Sequence, residues 1–170
     1  MISGSVYKFG DNINTDIIYP GKYLSITTDR EEMAKHCFES VFPEFMKKAR
    51  PGVIIVAGSN FGCGSSREQA ATCLKYFGVG AIIAKSFARI FYRNAINLGL
   101  PVIAAPDVPD QINNDDDMEI ELDNGVIRNN TTNAAFKVET LPPFIMGIIK
   151  VGGLIPYLRK KLNVRSQEVR

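Results

Sequence analysis

The sequence predicts an α/β fold in which a parallel sheet core is flanked by helices and extended by an antiparallel β appendage. Three observations predict it. Residues 53–57, Val-Ile-Ile-Val-Ala, are β-branched, apolar and of strand rather than helix length. That run opens through the glycine-rich stretch 58–64 into residues 68–77, of helix-like composition, and a second apolar run at 81–84 follows. Strand, helix, strand in that order makes two parallel strands. Farther on, Asp123-Asn124-Gly125 separates the alternating residues 118–122 from Val126-Ile127, a strong hairpin signal.

The remaining elements follow in order. Residues 2–9 alternate weakly and form a first strand. Residues 11–23 read as a loop, bounded and interrupted by the turn formers Gly10, Asp11, Asn12, Pro20 and Gly21. Asp29 is placed to cap a helix from Arg30 to about Phe38, with Glu31 and Glu32 suited to its positive end. Residues 42–48 make a second short helix. A further helix is expected over 87–97, with Phe87, Ile90, Phe91 and Ile96 as its apolar face. Gly99 ends it before a strand at 101–104. Asp115, Asp116 and Asp117 read as a solvated turn, and a last strand falls near 136–139. Pro142-Pro143 leads into a C-terminal helix that must negotiate Gly147 and Gly152-Gly153. No repeat or linker divides the chain, so residues 1–170 are expected to form a single domain, with a flexible tail from about residue 159.

Composition excludes several classes. At 170 residues the chain can bury a sizeable core, and 45% hydrophobic with 22% charged residues is ordinary for a globular protein. A net charge of +2 is too small for a nucleic-acid surface; the basic group Arg159, Lys160, Lys161 and Arg165 reads as a solvated tail or a partner contact. No apolar run is long enough to span a bilayer and residues 1–9 lack a leader-like core, so no membrane association and a cytoplasmic location are expected. Cys37, Cys63 and Cys73 form no Cys-x-x-Cys pair, and the one histidine, His36, is adjacent to Cys37, a poor chelating arrangement. His36 reads as an ordinary helix residue. No metal site is expected in this chain. Cys63 is the exception left open, because it sits inside the glycine stretch; its plain role is that of a small buried residue.

The most informative stretch is Gly58 to Ala71. A strand that passes through glycines into a helix brings unpaired backbone N–H groups and the positive end of a helix dipole to one point. Ser65, Ser66 and Arg67 stand there, and a guanidinium in that place suits a carboxylate or phosphate. A plainer reading makes Ser65 or Ser66 a helix cap, completed by Glu68 or Gln69. Known nucleotide and hydrolase patterns do not fit: the loop has no lysine after its last glycine, its glycine spacing is wrong for a dinucleotide fingerprint, and there is no Gly-x-Ser-x-Gly elbow.

Several ordered motifs then give a resemblance. Asn14-Thr15-Asp16-Ile17-Ile18, Pro20-Gly21-Lys22-Tyr23-Leu24, the run from Gly62 to Ala70, and the run from Ala84 to Asn94 resemble the swivel domain of the aconitase family. Within it they are similar to the separate small subunits of the isopropylmalate dehydratase type, over residues 2–105 with Gly152-Gly153-Leu154 near the C-terminus. The resemblance implies a β/β/α swivel-domain fold and a stereospecific hydro-lyase reaction of leucine biosynthesis. In it, 2- and 3-isopropylmalate interconvert by loss and re-addition of water through 2-isopropylmaleate. It implies that this chain binds no cofactor itself. A [4Fe-4S] cluster, acting as a Lewis acid, belongs to a large subunit that pairs with it as a heterodimer.

By the same resemblance Ser65 is the base that takes a proton from carbon, and Ser66 and Arg67 bind a carboxylate of the small dicarboxylate substrate. Thr15 and Asp16 line the cleft, with a turn or cap role for Asp16 equally open. Lys85, Ser86 and Arg89 support the site without a chemical step. A serine hydroxyl is a very weak acid, so its alkoxide would need N–H donors and positive charge around it. Specificity is implied to rest on the loop Tyr23, Leu24, Ser25 and Ile26. No arginine occurs there before Arg30, which would leave a further carboxylate unpaired and favours an apolar substituent. The alternatives are a related dehydratase of the homoaconitase, 2,3-dimethylmalate or citramalate type, and a non-catalytic anion-binding module. A serine hydrolase is opposed by His36, the sole imidazole, which has no acid partner motif.

Overall fold

The computed structural model describes residues 1–162. Its strands are β1 (Ile2–Lys8), β2 (Ile54–Ala57), β3 (Ala81–Ala84), β4 (Val102–Ala104), β5 (Asp117–Glu121), β6 (Val126–Asn129) and β7 (Ala134–Lys137), in the spatial order β4-β3-β2-β1-β5-β6-β7. The helices are α1 (Thr15–Ile18), α2 (Arg30–Ala34), α3 (Pro43–Lys48), α4 (Glu68–Phe77), α5 (Arg89–Asn97), α6 (Pro143–Lys150) and α7 (Leu154–Lys161). The fold is the expected α/β class. Strand β1 joins its two halves: residues 6–8 pair parallel with β2, and residues 2–5 pair antiparallel with β5.

Alternation along the buried strands explains the layers. In β2, Ile55 and Ala57 face one cluster with Ile82 and Val102, covered by Ala70, Ala71 and Leu74 of α4 and by Phe91 and Ala95 of α5. Ile54 and Val56 face the other way, with Ile83 and Ile103, against Met118, Ile120 and Ile127 of the antiparallel strands. The sheet therefore curls so that its antiparallel half covers one face of its parallel half, while helices cover the other. A strand buried on both faces must be apolar at every position, as residues 53–57 are.

Several local expectations are corrected by packing. The helix from Arg30 stops at Ala34, because Phe38 takes a left-handed backbone (φ 59°), donates its N–H to the Ile18 carbonyl at 2.9 Å and stacks on Phe9 at 4.3 Å. His36 thus lies in the turn after α2, stacked on Tyr23 with Nδ1 2.6 Å from Glu39. The expected loop 11–23 contains α1, capped by the Asn14 side chain on the Ile17 N–H at 2.8 Å, and a 3-10 turn at Gly21–Tyr23. Asp116 is buried rather than solvated, accepting from the Asn113 N–H at 2.8 Å and Asn129 Nδ2 at 2.6 Å. Phe87 precedes α5, and Ile90 is 50% exposed, so neither belongs to that helix's buried face.

The last strand lies at Ala134–Lys137. The C-terminal helix is two: α6 runs through Gly147, and the chain breaks at Gly152 and Gly153, both with positive φ. Arg159, Lys160 and Lys161 belong to α7, while residues 163–170 of the expected flexible tail lie outside the described residues.

Candidate active site

Three loops leave the carboxyl ends of the adjacent parallel strands β1, β2 and β3, the end at which open parallel sheets present their ligand sites. They are bound together by backbone. Asn12 N–H donates to Ser59 O (2.8 Å), Gly62 N–H to Ile13 O (2.7 Å) and Thr15 N–H to Cys63 O (2.8 Å). On the other side, Phe61 N–H donates to Ser86 O (3.0 Å) and Ala88 N–H to Phe61 O (2.9 Å). Side chains complete the seam: Asp11 Oδ1 accepts from Ser59 N–H at 2.6 Å, and Ser86 Oγ accepts from Asn60 N–H at 2.8 Å. The glycine loop is thus held from both flanks, as a site on irregular backbone requires.

The loop delivers Ser65, Ser66 and Arg67 to the start of α4. Ser65 and Ser66 are exposed. Neither caps the helix: the capping position is Arg67, and no side chain bonds there. The plainer capping-box reading is therefore corrected. The backbone N–H groups of Ser65, Ser66 and Arg67 find no backbone acceptor among the described residues. The Arg67 guanidinium is half-buried and donates through Nη1 to Asp16 Oδ1, so the α1 carboxylate sets the direction of the α4 arginine. Gly21 lies against this pair: a Cβ there would stand 3.3 Å from both Arg67 Nη1 and Asp16 Oδ1.

Thr15 is 1% exposed and donates its hydroxyl to the Ser65 carbonyl at 3.2 Å. That placement suits it to position Ser65 rather than to touch a substrate. Tyr23 gives its hydroxyl to both oxygens of Glu39 at 2.8 Å, which helps hold the Glu39 carboxyl below its usual range. Leu24 packs on the core, while Ser25 and Ile26 are exposed, Ile26 at 68%. The expected specificity loop therefore presents two of its four residues to solvent. Lys85 turns to Asp110, 2.7 Å away, and that bond raises its pKa. Ser86 braces Asn60 as described, and Arg89 begins α5, exposed.

The sequence marks Asp11 and Gly21 as turn formers and carries Asn14 and Gly21 in its family motifs, but it assigns none of the three a contact in this assembly. Their signal was a density of turn formers just after β1. That pattern shows where the chain turns but not which neighbouring loop it binds.

The cysteines do not fit an iron–sulfur cluster. Cys37 and Cys73 are wholly buried, Cys73 Sγ donates to the Ala70 carbonyl at 3.3 Å, and burial raises its pKa away from the thiolate that a cluster needs. Cys63, in the glycine loop, is partly exposed rather than buried, which corrects its plain reading as a core residue. Among the described residues no group of three or more His, Cys, Asp or Glu could hold a metal ion, and no helix is long and apolar enough to cross a membrane.

Comparison with known proteins places this geometry. Residues 6–107 match the aconitase C-terminal domain family. The chain is 54% identical to the 3-isopropylmalate dehydratase small subunit 1 of Thermotoga maritima, over 94% of this chain and 96% of that one. It is 50% identical to the isopropylmalate/citramalate isomerase small subunit of Methanocaldococcus jannaschii, over 95% and 96%. A crystal structure of 3-isopropylmalate dehydratase from the same archaeon superimposes with a TM-score of 0.90 at 49% identity, covering 99% of each chain.

Proposed function

Because the chain belongs to the aconitase C-terminal domain family, among the small subunits of 3-isopropylmalate dehydratase, a hydro-lyase, we propose that it completes the active site of that enzyme. Residues 1–170 work as one swivel-type unit in the cytoplasm, paired with a large subunit that carries the [4Fe-4S] cluster. The reaction interconverts 2- and 3-isopropylmalate. A proton leaves carbon and hydroxide leaves the adjacent carbon, giving an alkene dicarboxylate, and water returns in the other orientation.

The observation that carries this reading is the pairing of exposed hydroxyls with a directed cation at one helix start. Ser65 and Ser66 are exposed, and Arg67 is held by Asp16 beside them. In the assembled site Ser65 Oγ takes the proton. The loop N–H groups, the dipole of α4 and the Arg67 guanidinium stabilise the alkoxide it must become. Ser66 and Arg67 bind a substrate carboxylate, Arg67 through its planar fork. Thr15 fixes the Ser65 carbonyl, and Asp16 aims Arg67.

The test is to purify the chain alone and co-expressed with its large subunit. Alone it should be colourless and inactive; together the pair should show iron–sulfur absorbance and interconvert the isopropylmalates. A stoichiometric cluster on the isolated chain, or a cluster-loaded pair with no turnover, would overturn the reading.

The name of the archaeal relative raises citramalate as a second substrate, and the uncharged, exposed Ser25 and Ile26 are compatible with a small apolar substituent. Ser25→Arg should shift preference toward substrates with a further carboxylate by about ten- to two-hundred-fold in relative kcat/KM. Comparing 3-isopropylmalate with homoisocitrate in wild-type and variant complexes reads this directly. An unchanged ratio would remove the loop from substrate selection.

A further inference from the structure

We propose that the outward face of α5, formed by Arg89, Ile90 and Arg93, is the surface on which the large subunit docks beside the active site, and that it meets carboxylates there. The inference rests on the functional reading above and gives that reading an interface.

Helix α5 reads Arg-Ile-Phe-Tyr-Arg-Asn-Ala-Ile-Asn, with no acidic residue. Its first position is Arg89, a cation at the positive end of the helix dipole, where a carboxylate is favoured. Arg93 follows one turn later on the same face, and like charges at that spacing repel. Neither makes an ion pair among the described residues. Ile90 lies on this face at 50% exposure, between the two cations. The opposite face of the helix is buried through Phe91 and Ala95, and the exposed stripe closes at its carboxyl end on the buried Ile96. An apolar residue between unpaired arginines has the makeup of a contact surface, and its uncompensated positive field specifies the sign of what covers it.

The patch is continuous with the site. Ala88, which precedes α5, is bonded to Phe61 of the glycine loop, and Phe91 packs where a Gly62 Cβ would stand, 2.2 Å from its Cγ. The Phe91 contact belongs to the buried face of α5; what the outward face shares with the site is its end of the sheet. Arg89 opens α5 after β3 just as the Ser65–Arg67 loop follows the parallel neighbour β2, and a partner reaching the site from that end meets Arg89.

The experiment titrates the purified chain with its large subunit at several salt concentrations. Wild-type Kd should rise with salt. Arg93→Glu should raise Kd about tenfold or more and flatten the salt dependence, Arg93→Lys should stay near wild type, and Lys137→Glu on the edge strand β7 should leave Kd unchanged. Should Arg93→Glu lower the melting temperature, Arg93→Ala and Ile90→Ser carry the test, each weakening association. With the large subunit in saturating excess, the KM of Arg93→Glu should equal that of wild type. A folded Arg93→Glu with wild-type Kd overturns the proposal. So does unchanged Kd with raised KM, which would put the arginine on the substrate. A wild-type pair that associates in this salt-dependent way but turns over no isopropylmalate would remove the proposed activity and leave the docking surface standing.

Discussion

In the antiparallel half of the sheet, polar groups are satisfied inside the chain. Asp116 is buried yet takes two hydrogen bonds, and Asn129 answers it with its side-chain Nδ2 while its side-chain Oδ1 accepts from the Thr131 and Thr132 N–H groups. Glu121 is paired with Arg128 across the β5–β6 turn, which lowers the carboxyl's pKa. The parallel half is built the other way at its carboxyl end. Backbone bonds stitch its three loops together, but Ser65, Ser66, Arg89 and Arg93 face outward. Burial of a polar group demands a partner, so a half that supports only the fold closes its polar groups on themselves. Polar groups left facing outward on a rigid seam are available to a substrate and to a second subunit.

Substitutions in the two halves should separate accordingly. The largest effect is expected at Ser65. Ser65→Ala removes the proposed base and should lower turnover of the complex by about 10²–10⁴-fold, with melting temperature and subunit Kd nearly unchanged. Near-wild-type turnover would move the base elsewhere, with Ser66 the next candidate.

Gly62 comes next, because there the seam meets the core. Its φ is 78°, and a Cβ would lie 2.2 Å from Phe91 Cγ. Gly62→Ala should cost about 3 kcal/mol or more, from left-handed backbone strain and overpacking together. For a chain of this size, a loss of that order lowers the melting temperature by roughly 6–12 °C. An unshifted Tm would show that α5 is not wedged against the loop.

In the other half, Asp116→Ala strands the Asn113 N–H and the Asn129 amide and should cost about 1–3 kcal/mol. Turnover per folded complex should hold. Loss of activity without loss of stability would erase the distinction between the halves.

What the sequence made legible follows the same division. Local signals sufficed for α4, predicted at 68–77 and found at Glu68–Phe77, and for β3, predicted at 81–84 and found at Ala81–Ala84. Both are set by an apolar run or helix composition bounded by glycine. The glycine loop was legible as a strand-to-helix junction because its turn formers are written in consecutive residues. What escaped depends on distant partners. Asp116 reads as a solvated turn until Asn129 is placed beside it. Thr15 reads as a cleft residue until the loop from β2 buries it under Ser65. The helix at Arg30 ends early because Phe38 is needed in the core beside Phe9, a contact that no periodicity records.

The smallest effect, with the opposite sign, is expected at Tyr19. It follows α1 directly, is wholly buried, and its hydroxyl contacts no protein hydrogen-bond partner. Burial also raises its pKa, so the phenol stays neutral. A buried donor without a partner keeps its desolvation cost and gains nothing in return. Tyr19→Phe removes that donor while keeping the ring that fills the core beside Tyr23. The variant should therefore be as stable as wild type or more stable, by up to about 1 kcal/mol, with kcat and KM of the complex unchanged. Thermal unfolding of the two chains side by side reads the sign. Destabilisation of the same size would mean that the hydroxyl holds a buried bridging water. The core behind α1 would then satisfy its polar groups internally, as the antiparallel half does, and the open character of the parallel half would be confined to its surface seam.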